Sequence, residues 1–68
     1  MAQFNIDSHI SDGKTLEWLA LPDDGETAEK VRSQVCSAAR QKFGEFVLLK
    51  RWTHVVASNG HITVRMHA

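Results

Sequence analysis

The sequence predicts an α+β domain in which four strands form one antiparallel sheet, built from two hairpins, with one helix packed on one face. Three observations predict this β-β-α-β-β order. A stretch with helical periodicity lies in the middle of the chain, segments of alternating apolar residues flank it, and an Asn-Gly pair separates the last two segments. The 68 residues contain no repeat and no linker. We therefore expect a single domain over residues 1–68.

The first hairpin is predicted between residues 4 and 21, where apolar and polar residues alternate. A three-residue loop at 11–13 would pair Ile10 with Lys14, whereas a two-residue Asp12-Gly13 turn would reverse the faces of one strand. The three-residue loop is favoured because it gathers more apolar side chains on one face. That face holds Phe4, Ile6, Leu16, Trp18 and Ala20, and it leaves Leu19 and Leu21 pointing outward.

The helix is predicted from Glu26 to Phe43. Asp23 and Glu26 have the spacing of a capping box, and Gly44 follows two basic residues at the end, which is typical of a helix C-terminus. Apolar residues recur every four positions and form one face that can be buried. This face contains Val31, Val35, Ala39 and Phe43.

The second hairpin is predicted from strands at 46–57 and 61–67, joined by a tight type I′ turn at Asn59-Gly60. This turn would place His54 opposite Arg65 and Trp52 opposite His67. Val55, Ala57, Ile62, Val64 and Met66 would then meet the helix, and Trp52 would lie on the outer face of the sheet. Replacing Trp52 should therefore affect binding more than stability, whereas Trp18 should belong to the core.

The outer face of this hairpin is the candidate site. An aromatic side chain among basic residues on an open sheet is typical of a surface that binds protein or nucleic acid. The alternative is a half-exposed sheet face on which the cations are only solvated. The candidate partner-binding residues are Lys50, Arg51, Trp52, His54, Arg65 and His67.

The net charge of zero hides an asymmetry along the chain. Residues 1–29 contain seven acidic residues and one basic residue, whereas residues 30–68 contain seven basic residues and one acidic residue. Such asymmetry indicates a charged partner. The alternative is that the two halves attract each other inside one domain.

Several function classes are not expected. Cys36 is the only cysteine, so no intrachain disulfide can form, and this favours a reducing compartment such as the cytoplasm. The first ten residues lack the pattern of a signal peptide, and no segment is long and apolar enough to span a membrane. The four histidines and Cys36 do not have the spacing of a zinc site. We expect no metal, no cofactor and no enzymatic activity.

The chain resembles small phage and mobile-element inhibitors, including several anti-CRISPR proteins, in its size and in its order of hairpin, alanine-rich helix and hairpin. The resemblance covers residues 4–67 and implies a protein that binds a larger host complex stoichiometrically and blocks it. The alternative is a nucleic-acid-binding module in which Lys42, Lys50 and Arg65 contact phosphates while Trp52 stacks on a base. A homodimer is a third hypothesis, because so small a core gains from association.

Overall fold

The computed structural model describes residues 1–67 and confirms the α+β architecture. Four strands form one antiparallel sheet in the order β1-β2-β4-β3, and one helix, α1, covers one face. A short 3₁₀ helix lies between α1 and β3. The elements are β1 (Ile10–Asp12), β2 (Thr15–Ala20), α1 (Ala28–Phe43), the 3₁₀ helix (Glu45–Leu49), β3 (Arg51–Val56) and β4 (Ile62–His67).

Helix α1 buries the predicted face. Val31, Val35 and Ala39 are fully buried against the sheet. The helix begins later than predicted, because the Thr27 hydroxyl, rather than Asp23, accepts the hydrogen bond from the Lys30 N–H at 3.2 Å. The Asp23–Glu26 pair instead closes a turn ahead of the helix, and α1 ends at Gly44 as predicted.

The loop of the first hairpin contains two residues, so the predicted pairing of Ile10 with Lys14 is wrong. Ile10 pairs with Glu17, and Asp12 pairs with Thr15. Gly13 has φ +60° at the first central position, whereas Lys14 has a negative φ, which is the type II′ arrangement. The predicted burial on β2 is nevertheless confirmed for Trp18 and Ala20, while Leu19 and Leu21 are exposed. Phe4 and Ile6 pack against the core from an irregular segment.

The loop of the second hairpin contains three residues, so the predicted type I′ turn is also wrong. The Ala57 N–H donates to the His61 carbonyl at 2.8 Å, and the Gly60 N–H donates to the Ala57 carbonyl at 2.9 Å. Only Gly60 has a positive φ, as in a type I turn followed by a glycine bulge. The pairing therefore shifts by one residue, so that Trp52 opposes Met66 and His54 opposes Val64. Every side chain of β3 lies on the face opposite to the predicted one.

The predicted strand at 46–57 is shorter than expected. Within residues 1–67, β4 runs to His67, which pairs with Arg51, and no strand lies beside residues 46–50. They form the 3₁₀ helix and the residue that follows it. Val47 is fully buried there and anchors the segment on the core.

A hydrogen-bonded network ties the first residues to α1. The Gln34 amide accepts the Ala2 N–H at 2.9 Å and donates to Glu26 at 2.5 Å. Glu26 also accepts the Asp23 N–H at 2.8 Å. The Asp23 N–H and then the Gln34 amide lower the pKa of Glu26, because both donate to the ionised carboxylate.

Acidification should reveal this network. The folded state holds the pKa of Glu26 below its ordinary value of 4.5, so its contribution to stability is present above that value and is lost as the pH falls through the folded-state pKa. Thermal melts between about pH 7 and about pH 3 should show a smaller loss of stability for Glu26→Gln than for the unchanged protein. Glu29→Gln, in the first turn of α1, is the matched control and should keep the original profile. Identical profiles for all three proteins would contradict the network.

Candidate interaction surface

Three of the predicted site residues lie together on the sheet face away from α1. Arg51 pairs with His67 across β3 and β4, and Arg65 lies on the same face. Arg65 Nε lies 2.5 Å from Glu17 Oε1, and His67 Nε2 lies 2.7 Å from the Thr53 hydroxyl. Arg65 is thus already paired within the chain, which leaves Arg51 as the exposed base of this group.

Trp52 and His54 lie on the helix side of the sheet, so their predicted place in the outer face is wrong. The Trp52 ring stacks on Trp18 at a centroid distance of 5.7 Å and an interplanar angle of 16°. Its indole N–H donates to the Val47 carbonyl at 2.9 Å. His54 Nδ1 lies 3.1 Å from a guanidinium nitrogen of Arg32 on α1. The aromatic and basic side chains therefore do not form the expected platform.

A different surface stands out, which the sequence interpretation missed. The 3₁₀ helix exposes three large apolar side chains, Phe46 at 50%, Leu48 at 52% and Leu49 at 88%, and we call these three the apolar knob. With about three residues per turn, Phe46 and Leu49 align on one side of the 3₁₀ helix and Leu48 lies beside them. The fourth residue of the run, Val47, points inward.

One signal in the sequence could have identified the knob. A strand from residue 46 to residue 57 is longer than its hairpin partner at 61–67, so its first residues would have had no partner. An apolar run that cannot be paired must be buried elsewhere or exposed. Here Val47 is buried and its three neighbours are exposed.

Contacts before and after the 3₁₀ helix hold the backbone of the knob in place. Gly44 has φ +109°, a backbone conformation that L side chains rarely adopt, and it turns the chain from α1 into the 3₁₀ helix. Arg40 Nη2 lies 2.5 Å from Glu45 Oε1 across this turn. On the other side, Trp52 holds the Val47 carbonyl. The apolar side chains are thus displayed on a fixed backbone.

Next to the knob, Glu45 is paired with Arg40, and the other charges are basic. Lys50 is half-buried and Arg51 is exposed, and neither lies within 4.0 Å of a carboxylate among residues 1–67. Other bases are compensated, because Lys42 pairs with Asp7 and Arg65 pairs with Glu17. These two pairs join the acidic and basic halves of the chain. They account for part of the charge asymmetry inside the fold and leave positive charge beside the knob.

The other chemically notable features do not assemble a reactive centre in the described residues. An open groove of about 380 Å³ lies on α1, and its lining contains no His, Cys, Asp or Glu in the part of the chain that is described. Burial raises the pKa of the Cys36 thiol, while Arg32 and Arg40 oppose this effect, so the reactive thiolate is disfavoured. Within residues 1–67, no group of three or more His, Cys, Asp or Glu side chains could hold a metal ion.

Comparison with protein-family models, curated proteins and solved structures gave no match. In the described part of the chain, no helix has the length and apolar character needed to cross a membrane.

Proposed function

We propose that this chain is a non-enzymatic binding protein that acts as an inhibitor or adaptor by stoichiometric association with a larger protein complex. The apolar knob carries the proposal. It enters an apolar pocket of the partner, while Lys50 and Arg51 lie opposite carboxylates at the pocket rim. The partner surface is therefore apolar at its centre and acidic at its edge.

The exposure of the knob is the main support. Single exposed apolar residues are normal on protein surfaces. In the knob, however, three large side chains lie within four residues on a fixed backbone. Aromatic and arginine side chains are enriched in protein interfaces, and Phe46 and Arg51 supply both types here. Full burial of an exposed side chain of this size is worth about 1.5–3 kcal/mol, and the half-exposed Phe46 and Leu48 can gain about half of that.

The resemblance to phage-encoded, anti-CRISPR-like inhibitors supports the same type of function, and the proposed place of action is the cytoplasm of the host cell. The alternative, a nucleic-acid-binding module, loses its main support because Trp52 is stacked inside the fold and Arg65 is paired with Glu17. Association with a second copy is compatible with protein binding and involves another part of the surface.

Replacing Leu49 with glutamine should abolish most partner binding without unfolding the domain. Leu49 is 88% exposed, so the change removes little intramolecular packing. A hot-spot residue typically contributes about 2 kcal/mol or more, which corresponds to a roughly 30-fold weaker complex. The measurement is capture by the tagged chain from lysate of expressing cells, with and without nuclease treatment, followed by titration of the captured material with each purified variant.

The matched control is Leu19→Gln, because Leu19 is 59% exposed on the outer sheet face, away from the knob. The control should bind like the unchanged protein. If both variants bind equally well, the knob is not the binding surface. If the captured material is nucleic acid, and its binding weakens steeply with salt, the nucleic-acid alternative replaces the proposal.

A further inference from the structure

Strand β3 is an edge strand with a free row of backbone groups. Among the strands of residues 1–67 it pairs with β4 alone, and the bond from the Ala57 N–H to the His61 carbonyl fixes which residues point toward β4. Because bonding directions alternate along an antiparallel strand, Trp52, His54 and Val56 point their N–H and C=O groups away from β4. None of the described backbone hydrogen bonds uses these groups.

Most of the usual protections of an edge strand are absent from β3, whose charged residue is Arg51 at its first position. Natural edges are shortened, bulged or covered, or they carry proline or charged side chains, above all lysine. The opposite edge of the sheet follows this rule, because β1 has only three residues and a Gln3–Leu21 bridge lies beyond it. Strand β3 has six residues, pairs with β4 without a bulge, and contains neither lysine nor proline. Val55 and Val56 at its end are about half exposed.

We propose that β3 pairs with β3 of a second copy, so that two four-stranded sheets become one continuous eight-stranded sheet. An antiparallel pair of identical strands has a two-fold axis, which allows the same surface to serve both copies. Centring this axis on His54 pairs all three outward-pointing residues, His54 with His54 and Trp52 with Val56, and forms about six hydrogen bonds.

On either side of the central His54 pair, the side chains are compatible with this register. Thr53 lies opposite Val55 on the outer face, and such β-branched pairs stabilise sheets. Val56, which is 56% exposed in the single chain, gains Trp52 of the other copy as its neighbour. Arg51 lies opposite Ala57, so the terminal arginines do not face each other.

The expected dimer is weak. Stable interfaces bury about 600–1,000 Å² of each partner, which is a large share of the 4452 Å² surface of this chain. A single strand pair lies at or below the low end of that range. We expect a dissociation constant on the order of 1–100 μM.

The test is a mass measurement by light scattering from about 5 to about 500 μM protein, a range that spans the expected dissociation constant. The variant Val56→Pro removes one outward N–H and blocks the edge but keeps the bonds to β4, because the Val56 N–H does not point toward β4. We expect a concentration-dependent dimer for the unchanged protein and a monomer for Val56→Pro. Val56→Thr keeps the backbone donor and should still dimerise, as should Leu49→Gln.

Amide hydrogen exchange supplies a second measurement that needs no variant. The amides of Trp52, His54 and Val56 should become protected as the protein concentration rises. If Val56→Pro does not fold, Val56→Lys replaces it, because an inserted lysine disfavours edge pairing.

A monomer at the highest concentration, or amides that stay unprotected when a dimer forms, would overturn the proposal. The proposal would also be overturned if Leu49→Gln abolished the dimer, because the two copies would then be in contact through the knob and not through β3. The knob could still bind another protein if the dimer failed, so the two proposals are independent.

Discussion

Replacing Trp18 with alanine is expected to unfold most of the protein at about 25 °C. Trp18 is 1% exposed on β2, and its indole N–H donates to the Ile6 carbonyl at 2.9 Å. The change leaves a large cavity and an unpaired carbonyl, and Trp→Ala substitutions in cores cost about 3–5 kcal/mol. A small domain is stable by only about 5 kcal/mol or little more. Urea denaturation followed by circular dichroism measures the loss.

Trp52→Ala is the comparison. The stacking on Trp18 and the hydrogen bond to Val47 predict a clear loss of stability, although Trp52 is only half-buried. We expect about half the cost of Trp18→Ala. If Trp52→Ala left the stability unchanged, the observed placement of β3 would be wrong and the outward Trp52 predicted from sequence would be right.

Replacing Val64 with lysine should remove most of the stability of the domain, and replacing it with aspartate should remove less. Val64 is fully buried on the central strand β4, where an unpaired charge costs about 3–5 kcal/mol or more. Its cross-strand neighbour is His54, which contacts Arg32. The Arg32 guanidinium should therefore repel an introduced lysine and attract an introduced aspartate, so the aspartate should cost less. Denaturant unfolding of Val64→Lys and Val64→Asp measures the difference.

Thr63→Lys is the control for this charge. Thr63 is the preceding residue of β4 and points to the open face of the sheet. A surface change of this kind usually alters stability by about 0.5 kcal/mol or less. Equal destabilisation by Val64→Lys and Val64→Asp would show that the His54–Arg32 pair does not reach this position.

The elements of the fold could be predicted from sequence because their periodicities are long. The buried stripe of α1 at Val31, Val35 and Ala39 repeats over several turns, and the alternation of Ile62, Val64 and Met66 assigns the faces of β4. The position of the β4 residues under the helix does not depend on the length of the hairpin loops.

The pairing of the strands could not be predicted, because each loop contains a glycine that suits either a two-residue or a three-residue turn. On β3, both registers bury some apolar surface, and the prediction chose Val55 and Ala57. The prediction took this register from the Asn59-Gly60 turn alone, and a large aromatic ring such as that of Trp52, which buries about 150–250 Å², was not weighed against it. Comparing areas would have favoured the observed register. The apolar knob was missed because the predicted strand at 46–57 included residues that have no partner in the second strand of the hairpin.

The strand order has a consequence for synthesis of the chain on the ribosome. Strand β4 lies between β2 and β3, yet it is the last of these four strands to be synthesised, and Thr15 cannot pair with His67 before then. Until then α1 and β2 carry apolar faces that lack a central partner. Before β4 has been synthesised, only local structure such as α1 and the β1–β2 hairpin can form, and the four-stranded sheet closes afterwards.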